Sequence, residues 1–292
     1  MATNILTSRN FVLNYDNINN LLCQFDKISD GDKEITFDFS NTRWLSAELT
    51  TIFGALFQFL LDRECTVLVD VEFSTDVKTI LQKNGFLSYY LSEEKIHDTF
   101  DTTIPYRVIR TNMIKTIDEY LSEKVLAKID THISSEEIEI IKNALYEIIH
   151  NIRDHAESDV VFMCGQYYPR SKQIVFTIAD IGMTIPRKIR SIRKIDINDI
   201  DCIDWAIEKG HSTKTVSSSG LGLYDIMNNI RGRGSLNIIS NKAFWEFNES
   251  EITTKRELTA PFPGTLIDIS FSLNDNWAKN AYTLTEEFDL TF

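Results

Sequence analysis

The sequence predicts an α/β protein built from two α/β sandwich domains, and three observations carry that expectation. Strand-like alternation near 34–40 and 65–73 is interleaved with helix-like runs at 46–63 and 74–86. A long amphipathic helix at 134–158 opens a second series, continued by strand patterns at 172–180 and 262–271. The 292 residues are 43% hydrophobic and 11% aromatic, enough to fill cores of that extent.

In the first hundred residues, "EITFDFS" sets Ile35, Phe37 and Phe39 against polar neighbours, the period of a half-buried strand. "SAELTTIFGALFQFLLDR" is long and apolar enough for a core helix. "CTVLVDVEF" is a β-branched strand, and "STDVKTILQKNGF" is a short helix that Gly85 closes as C-cap. Strand, helix, strand, helix points to a sheet with helices packed on it. Residues 103–133 read as a connector, helical around "MIKTIDEYLSEKVLAKI".

The totals exclude several classes. No apolar run approaches the roughly 20 residues that span a bilayer, and "MATNILTSRNFVLNYD" lacks the charged and apolar segments of a signal peptide. Cys23, Cys65, Cys164 and Cys202 are far apart in sequence, which argues against disulfides and structural zinc. The expected location is cytoplasmic. Thirty Lys and Arg against 43 Asp and Glu give a net charge of −13, which opposes unspecific contact with nucleic acid. One basic run stands out, "RKIRSIRK" at 187–194.

The helix from 134 begins with a capping box, Ser134 with Glu137. Ile138, Ile141, Leu145, Ile148 and Ile152 recur as one buried stripe. Glu147 and Asn151 lie one turn apart, within about 40° of each other and beside Ile140 and Ala144. That flank suits a pocket wall. His150 and His155 have no third ligand nearby in sequence, so a metal site on them is not expected.

The strand "KQIVFTIAD" ends in Asp180-Ile181-Gly182, leaving a carboxylate at the sheet edge where it can accept from an exocyclic amino group. Farther on, "STKTVSSSGLGL" places Gly220 and Gly222 before the amphipathic "LYDIMNNIRGR". The first turn of a helix offers unpaired N–H groups and a partial positive charge to phosphate. Lys214 adds a point charge.

Two resemblances follow from these stretches. "ITFDFS", the helix after it, "TVLVDV" and "VKTILQKNGF" resemble the STAS-like domains related to anti-sigma factor antagonists, which implies a mixed sheet with helices over 1–102. The family's phosphorylated serine turn has its nearest match at Ser46 in "NTRWLSAEL", where the glycine is missing; Ser46 with Glu48 reads better as an N-cap and first turn. Residues 134–273 resemble the GHKL ATP-binding domain, with its Bergerat fold, shared by histidine kinases, anti-sigma factor kinases, heat-shock chaperones, MutL and type II topoisomerases. "ALYEIIHNIRDHA" matches the N box, "DIGMTIP" the G1 box, "STKTVSSSGLGL" the G2 box and "FPGTLIDISF" the final strand with Gly264-Thr265, in family order. Residues 274–292 are left as a tail.

The GHKL resemblance implies ATP and Mg²⁺. Asn151 would hold the ion, and Glu147 would orient or deprotonate the attacking water. Asp180 would read the adenine amino group with Thr265, and Gly182 would leave space for the base. Lys214, Gly220, Leu221, Gly222 and Leu223 would cradle phosphates, and 187–219 would form a lid. One departure is Thr184, which stands where the G1 box usually has a second glycine. The reading favoured is an ATPase switch acting on a protein partner, such as a STAS-domain or other regulatory protein, with a homodimer also allowed. The alternatives are a serine/threonine kinase of the anti-sigma type and a non-catalytic, nucleotide-stabilised module.

Overall fold

The computed structural model describes residues 2–70, 72–129, 133–194, 196–208 and 223–273. Its first unit runs β1 (Ala2–Leu6), β2 (Asn10–Phe11), α1 (Tyr15–Phe25), β3 (Glu34–Asp38), β4 (Trp44–Leu45), α2 (Thr50–Asp62), β5 (Thr66–Val69), α3 (Thr75–Asn84) and α4 (Phe86–Leu91). β1, β3 and β5 pair side by side, parallel throughout. This corrects the mixed sheet expected here. A helix returns the chain after each of these strands, and such a crossover sets the next strand parallel to the last. Gly85 closes α3 in the left-handed region, at φ 85°.

The second unit runs β6 (Thr103–Arg110), α5 (Ile114–Tyr120), α6 (Ser135–Asn151), β7 (Val160–Tyr168), β8 (Gln173–Asp180), α7 (Ile185–Arg193), α8 (Asp199–Ile207), α9 (Leu223–Ile230), β9 (Gly234–Phe247) and β10 (Thr253–Ser272). Its five strands pair antiparallel in the order β6-β7-β8-β10-β9. The expected connector therefore gives way at its start, where residues 103–110 are an edge strand. Pro105 and a register shift between Ile104 and Arg107 mask the strand in sequence. The helical character expected farther along the connector is present.

Alternation divides the five-stranded sheet between two cores. Ile178, Ile238, Ile267 and Ile269 face α6, α8 and α9. Phe162, Ala179, Ile239 and Leu266 face the other way and join one apolar cluster with Phe53 and Phe57 of α2. Every residue from Thr50 to Phe57 is buried, because α2 lies between the two sheets. The two units thus share a core rather than meeting through a linker. Each buried phenylalanine contributes about 1.5–3 kcal/mol to that junction. Among the described residues, no helix is long and apolar enough to cross a membrane.

Candidate functional site

The most unusual side chain in the second unit is Asp180, the last residue of β8. It is 0% exposed. Its Oδ1 accepts from the Gly182 N–H at 2.7 Å, while Oδ2 is buried with no hydrogen-bond partner among the described residues. A buried acceptor left unmade costs about 1–3 kcal/mol, so such groups are few in folded proteins. Burial pushes the carboxyl up to about 7, against the opposing pull of the Gly182 and, more weakly, Thr265 amides. The Thr265 amide steadies the charge without meeting hydrogen-bond geometry.

Close backbone approaches hold this carboxylate in place. A Cβ on Gly264 would lie 2.0 Å from the Asp180 carbonyl oxygen, so only glycine lets β10 pass the end of β8 there. Thr265 stands directly opposite Asp180 in the register. Its hydroxyl meets that of Ser240 on β9 at 2.8 Å, and Ser240 Oγ accepts from the Ile185 N–H at 2.9 Å. Ser240 is a residue that the sequence reading missed. Its only signal is a small polar residue inside the apolar run of β9.

The C-terminal end of α6 closes the site from the side. After Asn151 the helix widens into a π-helical turn, Ile152–Ala156. The Ala156 carbonyl accepts from the Met183 N–H and would lie 2.0 Å from a Cβ on Gly182. This changes the reason expected for Gly182. The room beside it is filled by the end of α6, so the glycine lets helix and loop touch rather than leaving space for a ring. Both capping-box bonds of Ser134 and Glu137 are made. Glu147 is buried, 7% exposed, and Asn151 one turn later is half-buried.

α9 ends beside the start of β9, with the Arg233 N–H bonded to the Ile230 carbonyl, so its first turn is directed away from that end. The Leu223 side chain, 8% exposed, belongs to the core and leaves only backbone for a ligand. Lys214, Gly220, Leu221 and Gly222 lie outside the described residues. So does the expected lid from 209 onward. Its first part, α7 and α8, is docked on the sheet, with Ile189, Cys202 and Ile203 buried. The basic run is largely engaged there. Lys188 pairs with Glu157, Arg190 with Asp199, and Arg193 lies over the Trp205 ring. Thr184 takes an ordinary extended conformation and N-caps α7, accepting from the Arg187 N–H, so no glycine is needed.

Ser46 sits at the N-cap position of a short turn, Ala47–Leu49, makes no capping bond and is buried. Its neighbour Glu48 reaches the sheet and accepts from Tyr168 Oη at 3.1 Å. Burial and the nearby Asp268 push Glu48 up to about 7. Asp268 accepts from Thr177 Oγ1 and Asn237 Nδ2.

At this end of the sheet the structure therefore gathers Asp180, Gly182, Gly264 and Thr265 against the closing turn of α6. The cluster offers one desolvated acceptor oxygen, aligned by backbone amides, to a donor that must be brought to it. Among the described residues, no group of three or more His, Cys, Asp or Glu side chains is arranged to hold a metal by itself. No protein-family model matches the chain, and no curated protein matches its sequence.

Proposed function

We propose that this chain is an ATP- and Mg²⁺-binding protein of the GHKL type with a STAS-like first unit, working as an ATPase switch on a protein partner. The single observation behind this reading is Asp180 Oδ2, a buried acceptor at a strand end that meets no hydrogen-bond donor in good geometry among the described residues. The chemistry of this acceptor suits the amino group of adenine, although the base would have to enter on a side other than the one that Ala156 fills beside Gly182. An exocyclic amino group supplies the missing donor, and a donor there returns the carboxyl toward its charged form. Thr265 lies opposite, anchored through Ser240.

Asn151 at the end of α6 would hold the Mg²⁺, with the phosphates completing its shell. When bound, the ion and triphosphate would supply a polarised terminal phosphate. Glu147, one turn earlier and buried, would orient water and take its proton at the carboxylate. The shared core supports the switch. β8 and β10 carry Asp180 and Thr265, and three residues along the same strands carry Thr177 and Asp268, beside Glu48 of the first unit. A shift at the nucleotide end therefore has a packed route to the STAS-like unit.

Incubation of the full chain with Mg²⁺ and γ-labelled ATP tests the chemistry. Free phosphate, abolished by Glu147→Ala, is the expected result. Label retained on a protein serine or threonine would replace the switch with a kinase, and neither product would leave a binding module.

A further inference from the structure

The edge of the five-stranded sheet carries a second candidate site, remote in the strand order from β10 and independent of the nucleotide reading. β6 pairs only with β7, so its outer edge is open among the described residues. A cavity of about 400 Å³ lies between that edge, over Arg107–Arg110, and the helix that follows it, with Met113, Thr116 and Tyr120 on the helix side. Tyr120 Oη closes one end by donating to the Pro105 carbonyl at 2.7 Å. Beyond that point the Arg110 carbonyl is taken by the Met113 N–H, and the outward backbone left for pairing is that of Val108 and the Arg110 N–H.

The charge of the groove is unbalanced in a telling direction. The protein carries an excess of 13 carboxylates over Lys and Arg, yet neither Arg107 nor Arg110 meets one among the described residues. Arg107 Nη1 donates only to the Tyr106 carbonyl, at 3.3 Å. The two acids that line the groove are already matched on their own helix: Glu119 to Lys115 and Glu123 to Lys124. Both arginines are exposed, as is Met113 at 47%. Nearby Lys95 is held below its usual range, first by burial and then by Arg107, against the opposing pull of Asp98.

We propose that this groove docks an extended acidic peptide of a partner protein, added as a further strand along Arg107–Arg110. An open strand edge supplies main-chain pairing, which gives affinity without regard to sequence. Arg107 and Arg110 lie on opposite faces of the strand, since Ile109 faces one core and Val108 the other, and each selects a carboxylate on its own face, which it can bind in a bidentate fashion. Met113 and Tyr120 give the alternate side chains of the peptide an apolar wall.

The test uses the full chain and a fluorescein-labelled decapeptide of paired glutamates and paired valines, which sets glutamates on both faces of an added strand, read by anisotropy. Saturable binding is expected, with at least a tenfold preference over the same peptide with lysine in place of glutamate. Arg107→Glu with Arg110→Glu is expected to weaken binding at least tenfold. Lys255→Glu, on the far side of the sheet, is expected to leave it unchanged. N-methylation of alternate peptide amides is expected to cost a further tenfold, because it removes the donors of strand pairing. No saturable binding overturns the proposal, as does equal binding of the lysine peptide. Indifference to N-methylation overturns it too, since it would mark simple charge adhesion.

Discussion

Replacing Asp180 by asparagine should change stability in opposite directions at two pH values while removing nucleotide binding at both. Burial lifts the carboxyl from 3.8 to about 7. The folded state therefore holds a proton that the unfolded chain has released, and stability falls as pH rises between those two values. At roughly 1 kcal/mol or a little more per pKa step, ionised Asp180 costs the fold about 4 kcal/mol at pH 8, more than half of it added between pH 5 and pH 8. The isosteric amide does not ionise, but it leaves a buried N–H pair without an acceptor, worth about 1–3 kcal/mol against it. Asp180→Asn should thus be less stable than the parent near pH 4 and about 1–3 kcal/mol more stable at pH 8. Urea unfolding of both proteins at the two pH values reads this directly. Glu48 titrates in the same window but cancels in the comparison. Calorimetry with a non-hydrolysable ATP analogue should show binding weakened at least a hundredfold, because the new amide points a donor at a donor. Equal destabilisation at both pH values would mean that the native carboxyl is ionised and satisfied, and the reasoning would fail.

Gly182→Ala places a Cβ 2.0 Å from the Ala156 carbonyl oxygen, both partners being backbone; thermal unfolding should show a loss above about 2 kcal/mol, and a neutral result would contradict the close packing of α6 on this loop. Glu147→Ala should leave nucleotide affinity within a few-fold and abolish phosphate release, measured by colorimetric turnover. Glu48→Gln should raise stability at pH 8 by about 1–4 kcal/mol with little effect at pH 4, since the neutral amide still accepts from Tyr168, and should weaken nucleotide binding, since coupling along the shared strands is reciprocal. A loss of affinity in Glu48→Gln would show the two units to be coupled through this pair.

Much of the fold was legible where local signals and tertiary packing agree. The capping box at Ser134, the left-handed close at Gly85 and the strand ending at Asp180 each fall where the pattern puts them. The burial of Glu147 was foreshadowed by its small and apolar flank. What stayed hidden depends on distant partners. β6 carries a proline and a bulge, and only pairing with β7 makes it a strand. α2 is apolar all round, a sign of burial on two sides that nothing local could assign to a second sheet. The basic run 187–194 stands out in sequence with no partners in view, because its arginines meet Asp199 and Trp205 only in three dimensions. Gly182 was singled out for the right position and the wrong neighbour, since the proximity of Ala156 is set by the end of α6.

The most direct measurement compares two nucleotides that differ at the purine 6-position, where the donor to Asp180 is placed, and in the proton on the adjacent N1. Calorimetric titration of the full chain with Mg²⁺ and non-hydrolysable analogues of ATP and ITP exchanges the exocyclic amino donor for a carbonyl acceptor. The account predicts binding of the adenine analogue and a loss of at least tenfold for the inosine analogue, which sets an acceptor against the buried Oδ2. Equal affinity for the two, or no heat with either at millimolar concentration, would contradict it.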